Sequence, residues 1–336
     1  MNISFRTNAG GEYGWGNLIR LYNLYLYVSK LKKNYKFKFI IEGDEEVFNF
    51  LTKKKIKYIK LKNKISISNE YNILKTKNEK DLLIVEMLDL SFERQKMYKK
   101  IYNKFVVFDD LINQRYNADY VVCAQSWPMY QNIKISNKGT KFLLGYKYFV
   151  FNKNFEKYNK IKFEKKINNK INSILVVLGG GDYDNAYMSV AMALKEIQFN
   201  FNVTFIVGFA SINKKRRIIK KILPNSKIIS NVSNIAKYLY NSDLAIVGGG
   251  YTKIESSFLM TPCIIISVQW HQIPLADYFS KITRSPHLGY YTLFDYQDIK
   301  KNILYLNSPK IRKQIIKNYF KIFKNYSPLN LIHKIL

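Results

Sequence analysis

Short apolar runs alternate with amphipathic stretches along most of the chain, the pattern of buried strands joined by helices. In the first half, Asn2 to Arg6 reads as a strand, Thr7 to Asn17 as a polar loop with glycines, and Leu18 to Val28 as a helix with apolar groups at three- and four-residue spacing. Phe37 to Ile41, Lys57 to Leu61, Leu82 to Val85, Phe105 to Phe108, Tyr120 to Cys123 and Lys141 to Leu144 continue as strands, with a helix over Glu45 to Lys54. Asn and Lys then recur at almost every second position from Phe151 to Asn172, leaving little apolar area to offset ordering entropy. The alternation restarts with strands at Ser173 to Leu178, Val203 to Val207, Lys227 to Ser230, Leu244 to Val247 and Ile264 to Val268. Helices are expected over Tyr187 to Glu196, Lys214 to Ile222, Ile235 to Asn241, Thr252 to Leu259, Tyr296 to Leu306 and Pro309 to Phe323. The pattern predicts an α/β protein of two doubly wound, Rossmann-like parallel sheets facing a cleft. The domains would be 1–155 and 173–336, joined by a linker at 156–172, with the last helix free to pack back on the first domain.

Composition narrows the function classes. With 336 residues and 47% hydrophobic side chains the chain is long enough for two cores. Two cysteines, Cys123 and Cys263, and three histidines make neither a disulfide framework nor a four-ligand zinc site, so no metal and no cofactor are expected. No apolar stretch approaches the roughly 18 residues that span a bilayer, and Met1 leads straight into Asn2-Ile3-Ser4 without a secretory h-region; the expected location is the cytoplasm. The net charge of +31 invites a polyanion, but only eight of the 55 basic residues are Arg and the clusters Lys53-Lys54-Lys55 and Lys214-Lys215-Arg216-Arg217 are short. No nucleic-acid motif accompanies them, so no nucleic-acid partner is expected. Peripheral contact with an anionic membrane suits the charge better, and an A/T-rich coding bias accounts for it equally.

Three loops with glycines sit after a strand and before a helix: Thr7 to Asn17, Gly179-Gly180-Gly181-Asp182 and Gly248-Gly249-Gly250. There glycine permits close backbone approach and the helix start offers unpaired N–H groups, a cradle for phosphate; tight turns alone would need the same glycines. None of the loops has the dinucleotide or P-loop spacing. Glu255, six residues past Gly249, can accept two hydrogen bonds from a ribose diol or serve as an N-terminal helix carboxylate. His271 and Gln272 follow a buried strand and should face the same edge, while Asp109 and Asp110 either cap a helix or face a ligand.

These motifs resemble the PseG/SpsG-like proteins, which include the UDP-sugar hydrolase of the pseudaminic acid pathway and are related to the MurG glycosyltransferases of GT-B architecture. The likeness runs through Phe5-Arg6-Thr7, Gly14-Trp15-Gly16-Asn17-Leu18-Ile19-Arg20, Asp109-Asp110, Ala118 to Val122 and Leu144 to Tyr148. It continues through Gly180-Gly181-Asp182 and from Ser242 to Glu255. It implies a GT-B fold and a UDP-sugar held by the second domain through Gly180, Gly181, Asp182, Gly249, Gly250, Tyr251, Thr252 and Glu255, with His271 and Gln272 beside them. Arg6, Gly14, Gly16 and Arg20 would face the sugar and leaving diphosphate. Where the family's hydrolases carry a histidine this chain has Asn17, and an amide is no base near neutral pH. Glu86-Met87-Leu88 stands in place of Asp-Ser-Tyr, Asn152 in place of Arg, and Trp270-His271-Gln272 is closer to the His-Gln of the transferases.

The expectation is an enzyme that cleaves the anomeric C–O bond of a nucleotide-sugar and passes the sugar to an acceptor in surface-glycan or nonulosonic acid metabolism. Glu12, Asp109 and Asp110 are the candidate bases, with His271 behind them, and Asn17 orients the sugar or acceptor. The acceptor is a glycan, a lipid-linked sugar or water. Water would make the protein a PseG-type UDP-sugar hydrolase, and loss of the base would leave a catalytically silent binder.

Overall fold

A computed structural model describes the chain except residues 12, 32, 76–80, 113, 126–138, 180, 182, 199, 209–211, 231 and 233. It divides into two units, Met1–Lys153 with Tyr326–Leu336, and Asn154–Asn325.

The first unit is built on β1 (Asn2–Ala9), β2 (Lys36–Gly43), β3 (Tyr58–Leu61), β4 (Leu82–Glu86), β5 (Lys104–Phe108), β6 (Tyr120–Cys123) and β7 (Lys141–Leu144). All neighbours run parallel in the order β3-β2-β1-β4-β5-β6-β7. The order reverses direction between β1 and β4, where Arg6 lies opposite Val85, so their carboxyl ends flank a topological switch point. One face packs the helices Gly16–Val28 and Glu45–Lys53 through Leu18, Leu21, Leu24, Val47 and Leu51; the other packs the helix Phe92–Ile101 through Met97 and Tyr98. Asp44 and Ser91 start two of these helices by accepting from the amides of Val47 and Arg94, each at 3.2 Å. The returning segment Leu329–Ile335 adds Leu331, Ile332 and Ile335 to the first core.

The second unit repeats the plan with β8 (Ser173–Val177), β9 (Asn202–Val207), β10 (Lys227–Ser230), β11 (Leu244–Gly248), β12 (Cys263–Ser267) and β13 (His287–Tyr290). The parallel order is β10-β9-β8-β11-β12-β13, with the switch point between β8 and β11. The segment expected as a linker instead belongs to this unit and carries short helical turns at Tyr158–Ile161 and Lys162–Glu164. Its frequent Asn and Lys hide an anchor, the buried Tyr158, and just ahead of it the buried Phe155, expected at the end of the first domain, packs against Phe258. Lys165 donates to the Ser242 carbonyl at 2.8 Å and to Thr261 Oγ1 at 2.6 Å. The strand β13 and the helices Ile67–Lys75 and Phe92–Ile101 were not among the elements expected from the pattern.

Candidate functional site

In the first unit the loop after β1 is a tight reverse turn. Gly10 and Gly14 exchange backbone hydrogen bonds at 3.1 and 2.7 Å, and the Gly11 amide donates to Asp44 Oδ2 at 2.9 Å. Gly10 has φ +117°, and a β-carbon there would lie 2.3 Å from Asp44 Oδ2, so only glycine fits. Gly14 and Gly16 are exposed, Asn17 is half-buried in the first helical turn, and Arg20 lies one turn on along the same face.

The two arginines take different roles. Arg6 has no exposed surface: its Nε donates to Glu70 at 2.8 Å, Nη2 to Glu42 at 3.1 Å and Nη1 to Asn8 Oδ1 at 2.6 Å. Tyr98 and Arg94 also bind Glu70. This is a buried ion-pair network under the sheet end, and Arg6 is not presented to a ligand, contrary to the expectation from the motif. Arg20 instead bridges Glu86 and Asp110, with Nε 2.9 Å from Glu86 Oε2 and Nη1 3.0 Å from Asp110 Oδ2, its guanidinium over the Phe108 ring.

Asp109 and Asp110 also diverge. Asp109 Oδ1 accepts from the Leu111 and Ile112 amides at 2.9 and 3.2 Å, and Oδ2 from Gln114 and the Tyr116 hydroxyl at 3.0 and 2.7 Å. With four donors on its two oxygens it organises the turn after β5, which corrects its expected catalytic role. Asp110 keeps partial exposure beside Arg20. Glu86, at the end of β4, joins this cluster; the departure from the family's Asp at this point was its only signal in the sequence.

In the second unit both glycine loops are gripped from below by buried lysines. Lys215 donates to the Gly181 carbonyl at 2.7 Å, and Lys253 to the carbonyls of Gly249 and Gly250, the latter at 2.9 Å. Carbonyl and following amide point opposite ways across a trans peptide, so the Gly250 N–H turns away from Lys253; it has no acceptor among the described residues. The loop is also closely covered: a β-carbon at Gly249 would lie 2.8 Å from Ser267 Oγ and 3.0 Å from Gln272 Cβ. Gln272 Oε1 accepts from the Val268 amide at 3.0 Å, which leaves its Nε2 beside Gly250. His271 is exposed, and Tyr251 and Thr252 are half-buried at the helix start.

Behind the loop, Ser267 Oγ lies 2.8 Å from His287 Nε2, and His287 Nδ1 2.7 Å from Asp277 Oδ1. A carboxylate only accepts, so Nδ1 carries the proton and the neutral ring accepts from Ser267. Desolvation lowers the His287 pKa and favours that neutral form. Ser267 is fully buried, so the chain of hydrogen bonds braces Gly249.

Glu255 lies in the short helix Thr252–Phe258, half-buried, with no side-chain hydrogen bond or ion pair among the described residues. Desolvation pushes its carboxyl up to about 7. Glu12, Gly180 and Asp182 lie outside the described residues. Among the described residues no group of three or more His, Cys, Asp or Glu could hold a metal ion, and no helix is long and apolar enough to cross a membrane.

Two parallel doubly wound units of this strand order define the GT-B class of fold. MurG of Acinetobacter baumannii superposes on the whole chain with a TM-score of 0.71 at 11% identity, covering 98% of that protein. HepE of Anabaena, solved in complex with UDP and glucose, also matches the whole chain, with a TM-score of 0.61 at 11% identity and 98% coverage of its own length. In sequence, the chain is 27% identical over 315 residues to the uncharacterized protein MJ1062 of Methanocaldococcus jannaschii, spanning 89% of this chain and 63% of that one. It is 26% identical over 297 residues to the spore coat polysaccharide biosynthesis protein SpsG of Bacillus subtilis, spanning 86% of this chain and 84% of SpsG. No family model matches.

Proposed function

We propose that the protein is a nucleotide-sugar-dependent glycosyltransferase of glycan biosynthesis, with UDP as the nucleotide. The observation that carries this reading is the pairing, within one unit, of a lysine-pinned loop that turns the Gly250 amide away from Lys253 with the half-buried carboxylate of Glu255, which has no partner among the described residues. A diphosphate suits the first and a ribose diol the second. The relative SpsG, a spore coat polysaccharide biosynthesis protein, supports the role in glycan biosynthesis, and the neighbour HepE, solved with UDP and glucose, supports the class of ligand.

In the proposed reaction an acceptor hydroxyl attacks the anomeric carbon while the bond from that carbon to the β-phosphate oxygen breaks. The departing diphosphate keeps the electron pair, and the loop amides and Gln272 Nε2 stabilise its charge. The acceptor hydroxyl gives its proton to a carboxylate base, for which the partly exposed Asp110 is the candidate in the first unit. Asn17 stands where the resembled hydrolases carry a histidine and is no base, and Asp109 is saturated with donors, so neither activates a water.

The test incubates purified protein with a panel of UDP-, CMP- and GDP-sugars, with and without glycan and lipid-linked acceptors, and follows nucleotide release. Transfer predicts release from UDP-sugars that depends on the acceptor. Steady release in water with free sugar as product would instead establish a hydrolase, and binding without release under every condition a silent binder.

A further inference from the structure

We infer that the second unit carries a shelf for a pyranose ring, built on Trp270 and lying beside the two glycine loops. The inference rests on the nucleotide-sugar reading for what those loops hold, and extends it to the sugar.

Trp270 is 61% exposed although it is one of the largest side chains in the protein. It is not loose: its ring lies 4.1 Å from the Tyr290 ring with the planes 18° apart. Tyr290 leans on Tyr291 at 4.8 Å, and Tyr291 meets Tyr183 edge-on at 6.2 Å. Gln269 ties the arc together by donating to the Tyr183 hydroxyl at 2.8 Å. One face of the indole is therefore covered and fixed while the other stays open, which removes most of the ordering cost of a partner that stacks on it.

The arc borders both loops. The Tyr183 ring covers Gly181, where a β-carbon would lie 2.5 Å from Cζ, and Gln272, two residues past Trp270, rests on Gly249 and Gly250. A sugar begins where the diphosphate ends, so the shelf stands where a ring attached to that diphosphate would lie. The chemistry agrees. A pyranose presents an apolar face of C–H groups and a rim of hydroxyls; the shelf offers a flat aromatic face rimmed by the Gln269 amide, the phenols of Tyr183 and Tyr291 and the exposed ring of His271. The ring could belong to the donor or to a glycan acceptor.

Two arms separate these sources. The full chain is titrated with UDP, with UDP-N-acetylglucosamine and with chitotriose, reading tryptophan fluorescence and calorimetric affinity, and the series is repeated on Trp270→Ala and Trp270→Tyr. A donor sugar on the shelf predicts that UDP-N-acetylglucosamine changes the fluorescence beyond UDP, and that Trp270→Ala weakens it about three- to tenfold while leaving UDP unchanged. An acceptor on the shelf predicts the same loss for chitotriose alone. Trp270→Tyr should keep most of either affinity. Equal loss of UDP and UDP-N-acetylglucosamine in Trp270→Ala would put the base on the indole and overturn the proposal, as would unchanged affinity for both sugar probes. Absence of UDP binding with chitotriose still sensitive to Trp270 would overturn the nucleotide reading and leave the shelf standing.

Discussion

Under the proposed role of Glu255 on a ribose, affinity for ligand would depend on whether its carboxyl holds a proton. Its carboxyl is raised from 4.5 to about 7, so between those values the folded chain holds a proton that the unfolded chain has lost. The cost of burying the charge is complete above pH 7 and disappears below the unfolded value. Glu255→Gln should therefore be more stable than the parent in urea titrations above pH 7, with the gap closing toward pH 4.5. Binding runs the other way: affinity for a UDP-sugar should fall as pH drops through 7, because the protonated acid accepts fewer hydrogen bonds from a diol. Glu255→Ala should weaken UDP about tenfold or more and remove that pH dependence, measured by calorimetry. Arg6 illustrates the opposite use of charge. Arg6→Ala leaves Glu42 and Glu70 buried beside a missing cation, and should cost about 3 to 5 kcal/mol in denaturant unfolding.

At the scale of elements, the loops owe their shape to side chains from neighbouring helices. Lys253→Met should let the Gly249 and Gly250 carbonyls relax and weaken UDP binding in calorimetry, at a stability cost of about 1 to 3 kcal/mol from the carbonyls left unpaired. Lys162 gives a contrasting case: it is buried in the second unit, its ammonium 3.5 Å from the Phe258 ring centroid, and desolvation lowers its pKa from 10.5 to about 7. The unfolded chain then binds the extra proton between pH 7 and 10.5, so stability rises across that window, and Lys162→Met should flatten the rise in thermal unfolding. Most strands were legible because each holds a short cluster of apolar residues. β13 was not, since His287, Gly289 and Tyr290 interrupt any such run, yet it supplies both the brace on Ser267 and the support for Trp270. The candidate site was legible in outline: its glycines and Glu255 stand out by position after a strand. Lys215 and Lys253 looked like members of a solvated basic surface, and Arg6 and Asp109 looked like motif residues, because a sequence does not say which way a charge points.

At the scale of the molecule, the first unit is made of two stretches of chain separated by the whole of the second. Leu331, Ile332 and Ile335 fill its core alongside residues of the first helix and strand. Truncation before Tyr326 should remove on the order of 5 kcal/mol from the first unit. The second unit should keep its own transition, seen as a separation of two steps in calorimetric unfolding. The same arrangement sets an order of assembly during synthesis. The segment that begins to fold first on the ribosome lacks its closing piece until residues 326–336 have emerged, whereas the second unit, being continuous, is complete earlier. The half of the protein that is translated first is the half that finishes last, and for that interval its apolar face is exposed to chaperones and to other nascent chains.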